Sequence, residues 1–200
     1  MIQSYKIDLF KMDIKSLSKK TLDFTIKRLA EITGILLICI SILLFISLVS
    51  YSPDDPNFIF SEKLEFKNLL GFKGSYTSDL FFQSIGLISF LVSFTIFFTG
   101  VNLIRNKNFL VIVENIFYSI IYIILGSIFF TIFYTDSFWL PINGNGGFVG
   151  IFFQDTFFIN IINLNKSVSY YFLIISILFL FLISTAYLVI GFTKLTTSIS

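Results

Sequence analysis

Four uncharged stretches, residues 32–53, 80–104, 115–135 and 167–193, dominate this chain of 200 residues. Each is at least as long as the roughly 20 apolar residues that a helix needs to cross a hydrocarbon core. Lipid cannot hydrogen-bond an open backbone, so such stretches predict helices. The expected fold class is all-α integral membrane: four transmembrane helices in a bundle, with spans at 31–52, 80–104, 112–135 and 168–193. The division that follows is a basic amphipathic N-terminal segment at 1–28 and a four-helix membrane domain at 29–193. Its connecting loops are 53–79 and 136–167, and 194–200 begins a tail. Charged residues make up 13% of the chain against about 25% in soluble domains, which excludes an ordinary soluble fold. The first run is too long, and too far behind a charged leader, to be a cleaved signal peptide.

One further uncharged stretch, 137–154, fails as a span. Pro141 followed by Gly144, Gly146, Gly147 and Gly150 would break a helix repeatedly and leave backbone groups unpaired in lipid. It predicts a short interfacial or re-entrant segment, helical from Phe148 onward.

Charge distribution chooses the orientation. Lys6, Lys11, Lys15, Lys19, Lys20, Lys27, Arg28, Arg105, Lys107 and Lys194 fall on one side of the predicted spans. Only Lys63, Lys67, Lys73 and Lys166 fall on the other. The positive-inside rule makes both termini cytoplasmic and the loops at 53–79 and 136–167 external. In the N-terminal segment Phe10, Ile14, Leu17 and Phe24 recur at helical spacing, with Thr21 between them and lysines around. That pattern suits either a helix on an anionic inner leaflet or a flank that sets topology.

The single cysteine, Cys39, and the absence of histidine exclude a disulfide within the chain and a Cys/His metal cluster. The spans hold almost no ionisable groups. Glu31 and Glu114 are expected at helix starts, where the dipole favours an acid, and Asp79 as a cap for span two. Small residues recur at sevens instead: Gly34 and Ser41; Gly86, Ser93 and Gly100; Ser119 and Gly126; Ser184 and Gly191. Such stripes let backbones approach closely in a left-handed bundle. The expected interior carries no polar groups. "GFKGS" at 71–75 and "GNGGFVG" at 144–150 lack phosphate-loop spacing, so no catalytic, cofactor or metal residues are expected.

Three loop motifs carry more information. "SYSPDDPNF" (50–58) follows span one, "NLLGFKGSYTSDLFFQSIG" (68–86) leads into span two, and "GNGGFVGIFF" (144–153) separates spans three and four. In that order they resemble the N-terminal four-helix membrane domain of FtsK/SpoIIIE-type DNA translocases. The matching positions are Ser50, Tyr51, Ser52, Pro53, Asp55 and Pro56, then Asn68, Gly71, Gly74, Asp79 and Gly86, then Gly146, Gly147 and Gly150. The resemblance implies a membrane anchor and oligomerisation domain of a septal translocase, linking cell division to chromosome segregation. It implies a multi-pass protein of the bacterial inner membrane, a hexamer, and contacts with lipids and other divisome proteins. ATP and Mg are expected only in a motor domain, which the chain ending at Ser200 does not include, so no enzyme activity and no nucleic-acid contact are expected from these residues. The Pro-Asp turn is expected to present loop 53–79 to external partners. A standalone divisome scaffold and a small transporter or channel subunit remain as alternatives.

Overall fold

The structure, a computed structural model, describes the backbone of residues 2–56, 66–136, 139–140, 142–154 and 157–185. Side chains are described from Lys19 onward within those ranges, apart from 157 and 158. Among the described residues seven α-helices follow in order: α1 (Ile2–Val49), α2 (Gly71–Ile85), α3 (Ser89–Asn106), α4 (Leu110–Phe133), α5 (Gly147–Gln154), α6 (Phe157–Leu164) and α7 (Lys166–Thr185). A single 3₁₀ turn, Gly86–Ile88, joins α2 to α3. Among the described residues there is no strand, and four helical segments are long and apolar enough to cross a membrane.

No proline interrupts residues 2–49, so α1 continues without a break from the N-terminal segment into the first span. Its 48 residues would extend about 72 Å if straight, more than twice a hydrocarbon core. Glu31 therefore lies mid-helix, not at a helix start, and the dipole account of it fails. It is instead paired across the bundle: its carboxylate binds Lys107 Nζ at 2.6 Å and the neighbouring Arg28 guanidinium. The face expected from Phe10, Ile14 and Leu17 lies outside the described side chains.

Small residues set the α1–α3 contact. A Cβ added at Gly34 would come within 2.7 Å of the Gly100 carbonyl, and one at Gly100 equally close to the Gly34 carbonyl. One heptad along, Ser41 Oγ donates to the Ser93 carbonyl at 2.8 Å. The seven-residue stripes on spans one and two thus meet each other. On α4 the lipid face is Val113, Ile116, Phe117 and Ile120, an i, i+3, i+4, i+7 set of exposed residues. Its opposite face buries Tyr122 and Phe129 against α7, where Phe181 and Tyr170 meet their rings. Gly126 takes the Ile88 side chain; Gly191, the expected partner of Ser184, lies outside the described residues.

The second apolar segment, Gly71–Asn106, is not one straight span. A straight helix from Gly74 to Ser93 would advance about 28 Å. Yet Gly74 lies on Ser47 and Ser93 on Ser41, positions only about 9 Å apart along α1. The chain must turn between them, and it does so at Gly86, whose φ of 67° and ψ of −148° are open only to glycine. So α2 lies across the end of α1, and α3 runs antiparallel to it. The expected start of span two at residue 80 falls inside α2, and Asp79 is mid-helix rather than a cap.

The interior is also more polar than expected. Tyr122 Oη and Thr95 Oγ1 are 2.9 Å apart, Thr99 Oγ1 donates to the Thr95 carbonyl, and Asn115 Nδ2 donates to Thr99 Oγ1 at 2.7 Å. Asn102, fully buried, sits one turn beyond Thr99 on the same helix. Side-chain hydroxyls and amides bind well between helices where water is excluded, and hydropathy windows do not register them.

Candidate functional site

The three loop motifs converge on the end of the bundle where α1 finishes. Val49 closes α1, and Ser50 folds its hydroxyl back onto the Ile46 carbonyl at 2.7 Å. A turn follows, with the Asp55 N–H donating to the Ser52 carbonyl at 3.2 Å. Pro53 and Asp54 at its tip are exposed, whereas Asp55 and Pro56 are buried.

Asp55 turns inward because it has donors to satisfy. Its Oδ1 accepts the Lys67 N–H at 2.8 Å and its Oδ2 the Asn68 N–H at 2.9 Å. A charged acceptor on two backbone donors makes the stronger kind of hydrogen bond. Asp54 stays outside, with Lys67 Nζ 2.7 Å from its carboxylate. That hydrogen bond holds the Lys67 ammonium above its ordinary pKa.

Asn68 then caps α1. The last carbonyls of a helix have no partner within it, and Asn68 Nδ2 donates to one of them, Ser47 O, at 2.9 Å. Its Oδ1 accepts the Leu70 N–H at 3.1 Å, which bends the chain into α2. Gly71 completes the bend at φ 62°, its N–H on the Asn68 carbonyl. Gly74 is obligatory for space: an added Cβ would land on the Asn68 side chain. Two serines tie α2 down, Ser47 Oγ onto the Gly74 carbonyl at 2.6 Å and Ser75 Oγ onto the Pro56 carbonyl at 2.8 Å.

Asp79 is buried on α2, within reach of Tyr51 Oη at 3.5 Å and Gln83 Nε2 at 3.4 Å. Burial, and then the negative charge of Asp79, push the Tyr51 phenol up to about 12. The Phe82 ring packs edge-on against Tyr51 with centroids 4.9 Å apart.

The glycine loop fills the notch that Gly86 opens. Asn145 gives its carbonyl to the Leu87 N–H at 2.9 Å, and its Nδ2 donates to the Tyr134 and Asp136 carbonyls. A Cβ at Gly86 would strike the Asn145 carbonyl, and one at Gly146 or Gly150 would strike Thr131 Oγ1 on α4. Gly147, at φ 64°, backs onto Ile85 and starts α5, one residue before the expected helix at Phe148. Ser127 Oγ and Asn143 Nδ2 satisfy the Ile85 and Gln83 carbonyls at the end of α2.

The sequence-picked residues Ser52, Pro53, Asp55, Pro56, Asn68, Gly71, Gly74 and Asp79 are thus brought together. Gly86, Gly146, Gly147 and Gly150 form a second, adjoining cluster. Ser47, Ser75, Ser127, Thr131 and Asn145 belong with them and were missed, since single hydroxyls, or one amide among glycines, carry no spacing signal. Among the described residues no three His, Cys, Asp or Glu side chains gather as metal ligands would. Chemically, the cluster does one thing: it satisfies helix ends and locks loop to bundle.

Residues 26–197 match the family described as the 4TM region of DNA translocase FtsK/SpoIIIE. The chain is 33% identical over 78 residues to the DNA translocase FtsK of Rickettsia bellii (strain RML369-C), an alignment covering 39% of this chain. It is 37% identical over 73 residues, 36% of this chain, to that of Rickettsia prowazekii (strain Madrid E). Each alignment spans 10% of the relative's length. No solved structure matches.

Proposed function

The chain belongs to the FtsK/SpoIIIE 4TM family, and from that premise we propose that it anchors and helps to oligomerise a septal DNA translocase. In this reading it sits in the bacterial inner membrane at the division site, both termini cytoplasmic, and touches other divisome proteins through its external end. A hexamer and a motor with ATP and Mg belong to the whole protein in the same proposal.

The observation that supports it most is the division of labour between the two ends. One end carries the three interlocked motifs, built as a rigid cap. At the other, Lys107 and Arg28 meet Glu31, with Lys27 and Arg105 nearby in sequence, the basic character expected of a cytoplasmic face. Single cysteines at Asp54 and Asn108, in a Cys39→Ser background, test the orientation. A membrane-impermeant thiol reagent should label Asp54→Cys in intact cells and Asn108→Cys only after lysis; the reverse pattern would overturn the topology. A fluorescent fusion of the chain should gather at septa, and uniform membrane fluorescence would overturn the recruitment.

The buried ladder of Tyr122, Thr95, Thr99 and Asn115 gives a solute- or ion-conducting reading its one foothold. Flux in liposomes containing the purified chain tests it.

A further inference from the structure

Because α2 crosses the end of α1 instead of continuing α3, a groove of about 420 Å³ is left in the angle between them. Its walls are Ile40 and Leu44 of α1, Phe81 of α2 and Ile96 of α3. Thr77 and the exposed Lys73, on the same crosswise helix, also line it. Ile40 is exposed, so the groove opens sideways onto the surface that α1 shows to lipid.

We propose that this groove holds one acyl chain of an anionic phospholipid, with the lipid phosphate on Lys73. Three observations select that occupant. The volume suits an acyl chain better than a whole helix: a helix about 10 Å across would fit only about one 5 Å turn into 420 Å³. The walls are almost wholly apolar, and bilayer tails already bathe them. Selection must therefore come from the head, and Lys73 has no carboxylate partner among the described residues.

The height is right for a headgroup. Gly74, next to Lys73, is bonded to Ser47, two residues before α1 ends. Phe66, Phe72 and Tyr76 run beside it as a chain of ring contacts, at 5.8 and 5.9 Å between centroids. Aromatic rings of this kind sit at the membrane–water boundary. The Thr77 hydroxyl already donates to the Lys73 carbonyl and remains an acceptor.

The test uses the full chain with Trp139→Phe and a Phe81→Trp reporter in phosphatidylcholine vesicles. Tail-brominated phosphatidylglycerol or tail-brominated phosphatidylcholine is added at equal mole fraction, and tryptophan quenching is read. Brominated phosphatidylglycerol should occupy the site about fivefold better, the effect of one lysine near a headgroup. Lys73→Gln should abolish the preference with helical circular dichroism unchanged, and Lys73→Arg should keep it. Equal quenching by the two lipids, or a preference that survives Lys73→Gln, would overturn the proposal. So would weak quenching by both lipids with disulfide-linked dimers forming through Ile40→Cys in a Cys39→Ser background, since a second copy would then fill the groove.

Discussion

Adjacent aspartates with opposite fates offer the sharpest test of the locked end. Asp54 is exposed with its lysine, while Asp55 is 5% exposed and spends both oxygens on backbone N–H groups. Asp55→Ala removes both acceptors. A hydrogen bond to a charged group contributes about 1.5–3 kcal/mol. Asn68 is 4% exposed, so its N–H stays buried and unpaired, whereas water can reach the N–H of exposed Lys67. The expected loss is about 2–4 kcal/mol. Asp55→Asn keeps one oxygen and should lose about half of that. Asp54→Ala should leave stability unchanged, because exposed ion pairs contribute little. The assay is equilibrium unfolding in mixed micelles titrated with dodecyl sulfate, alongside hydrogen exchange at residues 67–71. The expected order is Asp55→Ala worst, Asp55→Asn intermediate, Asp54→Ala like wild type. Equal midpoints for the Asp54 and Asp55 alanine variants would refute the argument, which rests on the difference in burial and bonding between the two positions.

Three further outcomes follow from the same geometry. Gly86→Ala should destabilise the fold by about 2 kcal/mol or more, since it strains a glycine-only backbone and strikes Asn145; Gly144→Ala, at φ 65° with nothing within 4 Å, should cost only about 1 kcal/mol in the same unfolding assay. Tyr51, raised to about 12, keeps its proton in the folded state after an unfolded tyrosine, at about 10, has lost it. Its contribution is complete below pH 10 and lost as pH rises through 12, so a difference titration at 295 nm against Tyr51→Phe should show a step near 12. Asn102, whose amide nitrogen and oxygen both lack partners among the described residues, should tolerate leucine or gain stability from it, whereas Asn115→Leu should lose about 1 kcal/mol with the bond to Thr99; chemical denaturation of both variants ranks them.

The fold was largely legible because bilayer crossing needs a length of apolar chain that nothing else needs. The small-residue stripes were legible for a similar reason: Gly34 and Gly100 contact each other through backbone, so the absence of side chains is itself the signal. What stayed hidden was direction. Residues 80–85 are apolar enough to pass for the start of a span, and no window distinguishes a helix entering lipid from one lying across its boundary. That depended on Gly86 turning, and a glycine's φ is not written in its identity. Asp79 was misjudged as a cap on the same account, because the helix it was expected to start had begun eight residues earlier. The interior hydroxyls were hidden because Thr95 and Tyr122 look apolar on average and become a polar ladder only when two helices align them.

The motif residues also bear on what this loop can do. Asp55, Asn68, Gly74 and Gly86 point inward, and each has its bonding or its space already taken. A partner protein cannot use a carboxylate that two backbone N–H groups already occupy. What the cap offers outward is the set of exposed neighbours held in place by them: Asp54, Leu69 and Phe72, with Trp139 near the glycine loop. The recognition proposed for this end therefore resides in residues whose identities the motifs leave free, on a backbone the motifs fix. Such an arrangement would let one membrane scaffold serve different partners, since an exposed leucine or aromatic can change without loosening a helix cap, and a buried aspartate cannot.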